Sequence, residues 1–384
     1  MILRDEAANL PRSLAPVAHC FDEVVVVDTG SQDQTPRLAR QMGARVYDFI
    51  WRHDFAAARN YSIERAKADW LFWLDGDNAI TPRQVAALRG LIPPQGPAIV
   101  WARELVEISG EFLWQKRCFP RCSEVRFQGR VHEQLIHPPD WPQLRSPVVV
   151  RHWGYQDAAE VQEKGRYYLS ILEQMLEELP DDFYARFQAA RCHLNLRNFP
   201  EARSHLEEVA RDPQARRLNF PLWVQAQVML ANLLVNQGKM DKAAAILEHL
   251  LEMEPKQGLV HHHRGRLAFL QGDFALAEAH LRQAERWGLG QPFLDMNPDH
   301  LRFRNRHFLA KALERLGKGD QALTWYRRAL QLGPDNPALR ADLAMLLLRL
   351  GRREEARQEA EAILAVRPQD RRAKEVLARC REAA

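Results

Sequence analysis

Four Gly-x4-Ala steps recur through the second half of this 384-residue chain, at Gly238/Ala243, Gly272/Ala277, Gly317/Ala322 and Gly351/Ala356. The interval from 238 to 272 is 34 residues, and from 317 to 351 it is 34 again. A fixed interval of this length marks a stacked array of helix pairs. One pair cannot bury its apolar face alone, so its neighbours must cover it. Each Gly suits the turn between two helices, and each small Ala lets the second helix approach the first. Pro255, Pro334 and Pro368 stand where second helices should stop. A weaker unit runs from Phe183 to about Pro213, with Ala202 at the small position. The pattern predicts an all-α repeat domain of about five units over residues 183–384. Two insertions interrupt it, RDPQARRLNFPLW at 211–223 and RWGLGQPFLDMNPDHLRF at 286–303. Insertions in such arrays map to loops, either near a binding face or as passive linkers.

The first half has a different grammar. Val24-Val25-Val26-Val27 reads as a buried strand that breaks into Asp28-Thr29-Gly30-Ser31-Gln32-Asp33, followed by a helix from Pro36 to Met42 capped by Ser31 or Asp33. Trp70-Leu71-Phe72-Trp73-Leu74 is a second such run, and it breaks into Asp75-Gly76-Asp77. Open α/β sheets bind ligands beyond the carboxyl ends of their strands. Two adjacent carboxylates at such a tip repel each other and call for a hard divalent cation, itself bridging to phosphates. Two acidic tips of one parallel sheet would then grip one nucleotide. Asp28 would take base or ribose; Asp75 and Asp77 would act through metal and diphosphate. The alternatives are a plain Asp-Gly turn and a helix-cap network around Asp28. Between the halves, residues 157–182 carry Tyr168, Ile171, Leu172, Met175, Leu176 and Leu179 at helical spacing, which predicts a coupling helix ended by Pro180.

Composition excludes several classes. The net charge is +4, from 54 basic and 50 acidic residues, which makes no electrostatic case for nucleic acid. Cys20, Cys118, Cys122, Cys192 and Cys380 are odd in number and scattered, which suggests reduced thiols. Cys118 and Cys122 lack the second ligand pair that a zinc site needs. No apolar run reaches the length of a membrane span and no leader pattern precedes Arg4-Asp5-Glu6, so a cytoplasmic protein is expected. His261-His262-His263 falls inside a repeat helix, where adjacent side chains diverge, which argues against a three-His metal site.

The segments DEAANLPRSL (5–14), VVVVDTGSQDQT (24–35), DFAAARNYSIERAKADW (54–70), LDGDN (74–78), FQGRVHEQL (127–135) and HWGY (152–155) together resemble the family-two glycosyltransferases of the GT-A fold. They are most similar to the branch fused to tetratricopeptide repeats, which includes peptide S-glycosyltransferases. The resemblance covers roughly residues 1–178, and Gly76 stands where that branch usually has Ala. It implies an α/β, Rossmann-like GT-A domain with a mixed sheet over residues 1–156, ahead of the coupling helix and the repeats. It also implies inverting transfer from a nucleotide-sugar, expected to be UDP-linked, with Mn2+ or Mg2+ as cofactor. Asp75 and Asp77 would be metal ligands and His152 a third. Glu6, Asp28, Asp54, Arg59 and Asp75 would lie at the donor, with Arg59 on its diphosphate. Glu133 would be the general base, with His132 beside it. Without the resemblance, His152 reads as a packing residue and Asp54 as the N-cap of a helix over 55–66.

The expected acceptor is a peptide or protein side chain recruited by the repeats, with a homo-oligomer left open. Two other readings stand: transfer to a glycan or cell-envelope precursor, and a non-catalytic repeat scaffold carrying a degenerate GT-A domain. The second draws on the short first strand. Met1-Ile2-Leu3 is expected to lie inside the sheet, flanked on both edges, and so to be the remnant of a longer strand or the mark of an impaired copy.

Overall fold

The computed structural model describes residues 1–106, 111–154, 158–289, 298–333 and 336–381. Tyr155 of the HWGY segment, Asp157, residues 290–297 of the second insertion and Pro334 lie outside the described residues. The chain divides into two compact units, Met1–His205 and Leu206–Ala384.

The first unit opens with a small parallel sheet. β1 (Ile2–Leu3) pairs with β2 (Val25–Asp28), which pairs with β3 (Arg45–Asp48). Helix α1 (Leu10–Ser13) and α2 (Thr35–Gln41) lie in the connections, and Leu3, Leu10, Leu14, Val26 and Ala39 close a buried cluster beneath them. Next come α3 (Phe55–Arg65), β4 (Trp70–Phe72), β5 (Asn78–Ala79) and α4 (Pro82–Arg89). The strands β6 (Ile99–Val106), β7 (Glu111–Pro120), β8 (Arg126–Gln128), β9 (Gln134–Ile136) and β10 (Gln143–His152) follow. β4, β7, β6, β10 and β5, in that order, make a mixed sheet, while β8 and β9 form a separate antiparallel hairpin. On one face of the mixed sheet Val85 and Leu88 of α4 pack against Val100, Val148 and Val150. On the other, Ala56 of α3 packs with Ile99, Phe119 and Phe127.

The expected α/β domain with a mixed sheet is therefore present, with one difference. The two acidic tips belong to two sheets: Asp28 ends β2, whereas Asp75 follows β4. β1 is correspondingly an edge strand, hydrogen-bonded to β2 alone among the described strands, and is not flanked on both sides. Between the sheets lies a cavity of about 110 Å3, lined by Met1, Ile2, Val25, Leu71, Phe72 and Phe119. Among the described strands β4 pairs with β7 alone.

Behind the mixed sheet's strand ends sits a buried ion pair. Arg117 of β7 donates to Glu104 of β6, and their side chains are 1% and 9% exposed. The guanidinium also stacks on Trp73, 3.7 Å from the ring centre, and donates to Asn78 Oδ1 at 2.9 Å.

Helix α5 (Ala158–Glu178) carries the expected coupling stripe. Ile171 and Leu172 are buried with Ala185, Ala189 and Cys192 of α6 (Phe183–Asn195) and with Val131 of the β8–β9 loop, while Tyr168, Met175 and Leu176 pack around them. Leu179 departs from the stripe and is 64% exposed, because it lies beyond the last turn of α5. The next helix, α7 (Phe199–Arg211), buries Ala202.

All described elements of the second unit are helices. The first insertion is not a loop. Its residues form α8 (Pro213–Leu218) and open α9 (Phe220–Asn236), because Asp212 and Asn219 cap both starts and a proline follows each cap. The pairs α9/α10 (Met240–Met253), α11 (Gly258–Gln271)/α12 (Phe274–Trp287), α13 (Pro298–Arg315)/α14 (Gly319–Leu330) and α15 (Pro337–Arg349)/α16 (Arg353–Val366) follow, and α17 (Arg371–Arg381) ends the array. Gly238, Gly272, Gly317 and Gly351 turn the chain within each pair at φ of +75°, +84°, +72° and +75°, a region that penalises any Cβ. Ala243, Ala277, Ala322 and Ala356 are all fully buried, as the small-residue reading requires. All five cysteines are unbonded. Among the described residues no helix is long and apolar enough to cross a membrane.

Arg117→Met removes one partner of the buried pair and leaves Glu104 uncompensated. We expect about 3–5 kcal/mol of destabilisation in urea unfolding, while the double change Arg117→Met with Glu104→Leu recovers most of it.

Candidate active site

Each candidate side chain sits on a loop at a strand end or helix start. The loop after β1 and the loop after β2 are laced together. Asp5 Oδ1 accepts from Gln32 N at 2.7 Å, Glu6 N donates to Thr35 Oγ1 at 2.7 Å, and Ala7 N donates to Asp33 Oδ2 at 3.0 Å. Asp28 is buried in this lacing. Its carboxylate accepts from Gly30 N (3.2 Å), Ser31 N (3.1 Å) and Ser31 Oγ. Ser31 is thereby drawn away from the helix start, and Asp33 alone reaches α2, accepting from Thr35 N at 2.8 Å. Asp54 caps α3 by accepting from Ala57 N at 2.8 Å, which matches the helix-cap reading of that residue.

The centre of the site is Arg59. Its Nε donates to Glu133 Oε1 at 2.5 Å and its Nη2 to Asp75 Oδ1 at 3.0 Å. Its guanidinium lies 4.2 Å from the Trp73 ring centre and 5.5 Å from that of Phe127. Burial on its own would weaken the hold of Arg59 on its proton, but Asp75 and Glu133 outweigh it and the pKa is raised. Burial likewise pushes Asp75 up, and Arg59 and then Arg117 more than reverse this, so its carboxyl stays below the ordinary aspartate value. With two carboxylates already on it, the Arg59 guanidinium faces the protein's own acids rather than standing open for a diphosphate.

A second knot ties Asp77 to His152. Asn78, fully buried, spans it: its amide nitrogen lies 3.1 Å from Asp77 Oδ1 and 2.8 Å from His152 Nδ1. Its oxygen accepts from Arg117 Nη1 at 2.9 Å, which fixes which end of the amide faces the histidine. His152 Nδ1 also lies 3.3 Å from Asp77 Oδ1. Burial lowers the imidazole pKa, but Asp77 beside it outweighs this and leaves it raised. Glu6 stands over the Asp75-Gly76-Asp77 turn and accepts from Asn9 Nδ2 at 2.6 Å. Burial raises its carboxyl, Asn9 eases it, and Asp77 raises it further.

Two glycines make this crowding possible. A Cβ on Gly76 would meet Glu6 Cγ and Cδ at 2.5 Å, so the Gly at this position is what admits the Glu6 carboxyl. A Cβ on Gly154 would fall 1.8 Å from Asp77 Oδ2. Three of the four non-glycine residues with positive φ, among those described, directly precede candidate residues: Asp5 before Glu6, His53 before Asp54 and His132 before Glu133. His132, at φ +53°, is braced by its ring against Tyr168 and by its carbonyl, which accepts from Tyr184 Oη at 3.0 Å. Such left-handed residues persist only where surroundings over-determine them.

The structure thus brings Asp75, Arg59 and Glu133 into one ion-paired group, and Asp77 and His152 into an adjoining one, with Glu6 above. Asp28 and Asp54 are committed to their own loops. Asn78, Arg117, Glu104 and Trp73 were not foreseen as parts of the site. Asn78 directly follows Asp77 and was the one within reach of sequence reasoning, as a buried amide in a polar turn. Among the described residues no group of three or more His, Cys, Asp or Glu is gathered for a metal. A cation at the turn would take carboxylate oxygens of Asp75 and Asp77 and fill its shell from water and phosphate, the manner in which Mg2+ is commonly held. Asp77 Oδ2 itself fills the place that a side chain on residue 154 would take.

Residues 1–146 match the family described as Glycosyl transferase family 2. Residues 169–218 and 313–380 match one tetratricopeptide repeat family and residues 228–290 another, the first match beginning within α5. Over 197 residues the chain is 35% identical to a TPR repeat-containing protein of Synechococcus elongatus, covering 48% of this chain and 49% of that one. It is 24% identical over 191 residues to the SPbeta prophage-derived glycosyltransferase SunS of Bacillus subtilis, covering 47% of this chain and 45% of that one. An uncharacterized glycosyltransferase of Rickettsia felis is 31% identical over 81 residues, 21% of this chain and 28% of its own. The matched regions span half or less of these relatives' lengths. The chain joins a glycosyl transferase family 2 domain to tetratricopeptide repeats.

Proposed function

We propose that the protein is an inverting glycosyltransferase that uses a divalent metal, Mn2+ or Mg2+, to hold a nucleotide-sugar, UDP-linked, and transfers the sugar to a peptide or protein side chain. The observation that carries this reading is the pair of carboxylates at the β4 tip, with Arg59 bridging one of them, Asp75, to Glu133 and His152 beside the other, Asp77. In this reading Asp75 and Asp77 hold the cation, which supplies positive charge to the leaving diphosphate. His152 braces Asp77 and stands as a third ligand from the neighbouring strand. Glu6, Asp28 and Asp54 shape the donor pocket, Glu6 through its carboxyl and the other two through the loops they stiffen.

Glu133 takes the acceptor proton. Arg59 keeps its Oε1 engaged and its charge in place, which leaves Oε2 as the oxygen that accepts. Arg59 then serves to position both acids, and His132 supplies the strained backbone that turns Glu133 toward it. The domain division assigned to residues 1–156, 157–182 and 183–384 gives donor chemistry to the first, coupling to the second and acceptor recruitment to the third. The similarity to SunS, whose name records a glycosyltransferase, supports transfer chemistry.

Calorimetry of UDP with Mn2+ tests the donor half. Asp77→Asn is expected to weaken metal-dependent UDP binding by about tenfold or more, and EDTA to do the same to the unaltered chain. Unchanged affinity in both would count against the site.

Glu133→Gln keeps size and removes basicity. Turnover is expected to fall about a hundredfold or more with UDP binding retained. Normal turnover would move the base elsewhere, with His132 next.

A further inference from the structure

Helices α5 and α6 have a double membership. A tetratricopeptide match begins at residue 169, within α5, yet the first compact unit runs on to His205. Within that unit the two helices hold the β8–β9 loop, and above all the residues around Glu133.

Arg130 makes a two-pronged ion pair with Glu178, the last residue of α5, at 2.9 and 2.6 Å. Val131 is buried with Leu172 of α5 and with Ala185 and Ala189 of α6. The His132 ring stands edge-on to Tyr168 of α5, with 5.6 Å between ring centres. Tyr184 of α6 then takes both neighbours of Glu133 on one hydroxyl. Its Oη donates to the His132 carbonyl at 3.0 Å and accepts from Gln134 Nε2 at 2.9 Å. Four of the five residues from 130 to 134 are thus gripped by α5 and α6, and the fifth, Glu133, goes instead to Arg59.

The backbone explains why such a grip is needed. In an extended chain, residues two apart share a face. Glu133 would then follow Val131 into the apolar cluster beneath α5, where a carboxylate is costly. The left-handed turn at His132, φ +53°, breaks that alternation. A residue with a Cβ keeps this conformation only where its surroundings hold it, and here the hold falls on the carbonyl of His132 itself. Tyr184 is in turn fixed in the first turn of α6, where Asp182 Oδ1 accepts from the Tyr184 and Ala185 amides at 2.9 Å each. A phenylalanine would keep the ring and give up both loop hydrogen bonds, so the task of the hydroxyl is the loop.

We propose that Tyr184 is a positioning residue for Glu133, its hydroxyl fixing the backbone on one side of that acid and the side chain on the other. The proposal rests on the reading above in which Glu133 takes the acceptor proton. It makes the first helix of residues 183–384 part of the catalytic machinery as well as of the repeats.

The test is Tyr184→Phe in the full chain, with UDP release from UDP-sugars in Mn2+ as the assay and water as the acceptor. The change is expected to lower kcat about tenfold, while KM for the UDP-sugar and calorimetric UDP affinity stay as they are and circular dichroism shows a folded chain. Because the hydroxyl acts through Glu133, adding Tyr184→Phe to Glu133→Gln should cost no further rate. A readout free of turnover is hydrogen exchange. The amides of residues 132–134 should exchange about tenfold faster in Tyr184→Phe, with β6 and β7 unaffected. An unchanged kcat overturns the proposal, as does a fall in UDP affinity in step with kcat, or a full further loss on the Glu133→Gln background. A chain that releases no UDP from any UDP-sugar sinks the transferase reading. Exchange then judges this one: quickening confined to the loop keeps the hold of Tyr184, and unchanged exchange removes it.

Discussion

The buried guanidinium of Arg59 is the interaction on which the candidate site depends. It joins three elements that are distant in sequence: its own helix α3, the β4 tip through Asp75, and the β8–β9 loop through Glu133. Aromatic rings of Trp73 and Phe127 sit beside it and remove water from around the ion pairs. At short range in such a setting each carboxylate gains far more from the cation than it would in solvent. The reverse also holds: losing the arginine would leave two acids facing each other without compensation. A lysine could not replace it, since a point charge cannot address two carboxylates and stack on a ring at once.

A second layer supports that centre. The Arg117–Glu104 pair crosses from β7 to β6 and holds Asn78 by its oxygen, which in turn aims the Asn78 amide nitrogen at Asp77 and His152. The mixed sheet therefore reaches the turn through hydrogen bonds as well as backbone. Gly76 and Gly154 provide the space that lets Glu6 and Asp77 crowd the same turn. This arrangement places several acids close together and compensates them with buried cations from behind.

Much of this was legible in the sequence. The repeat interval announced the helix pairs, and the glycines and alanines that carried it are the ones found at positive φ and at full burial. The two apolar runs gave strands where they were expected, and the acids at their ends do sit at loop tips. What could not be read was pairing across the chain. Nothing in the spacing says that Arg59 would meet Glu133, 74 residues away, or that Arg117 would reach Asn78 beside the Asp75–Asp77 turn. Nor could a local pattern show that the acidic tips fall on separate sheets, because strand partners are chosen by packing of the whole unit. The insertion at 211–223 was read as a loop from its place in the period, whereas two Asx caps followed by proline make it helical.

We propose that this chain binds and cleaves a nucleotide-sugar at the Asp75–Asp77 turn. The most direct measurement is release of nucleoside diphosphate when the full chain is incubated with Mn2+ and each of a panel of nucleotide-sugars. The expected result is UDP release from at least one UDP-sugar, abolished by EDTA. Release from no member of the panel, or release that EDTA leaves untouched, would contradict it.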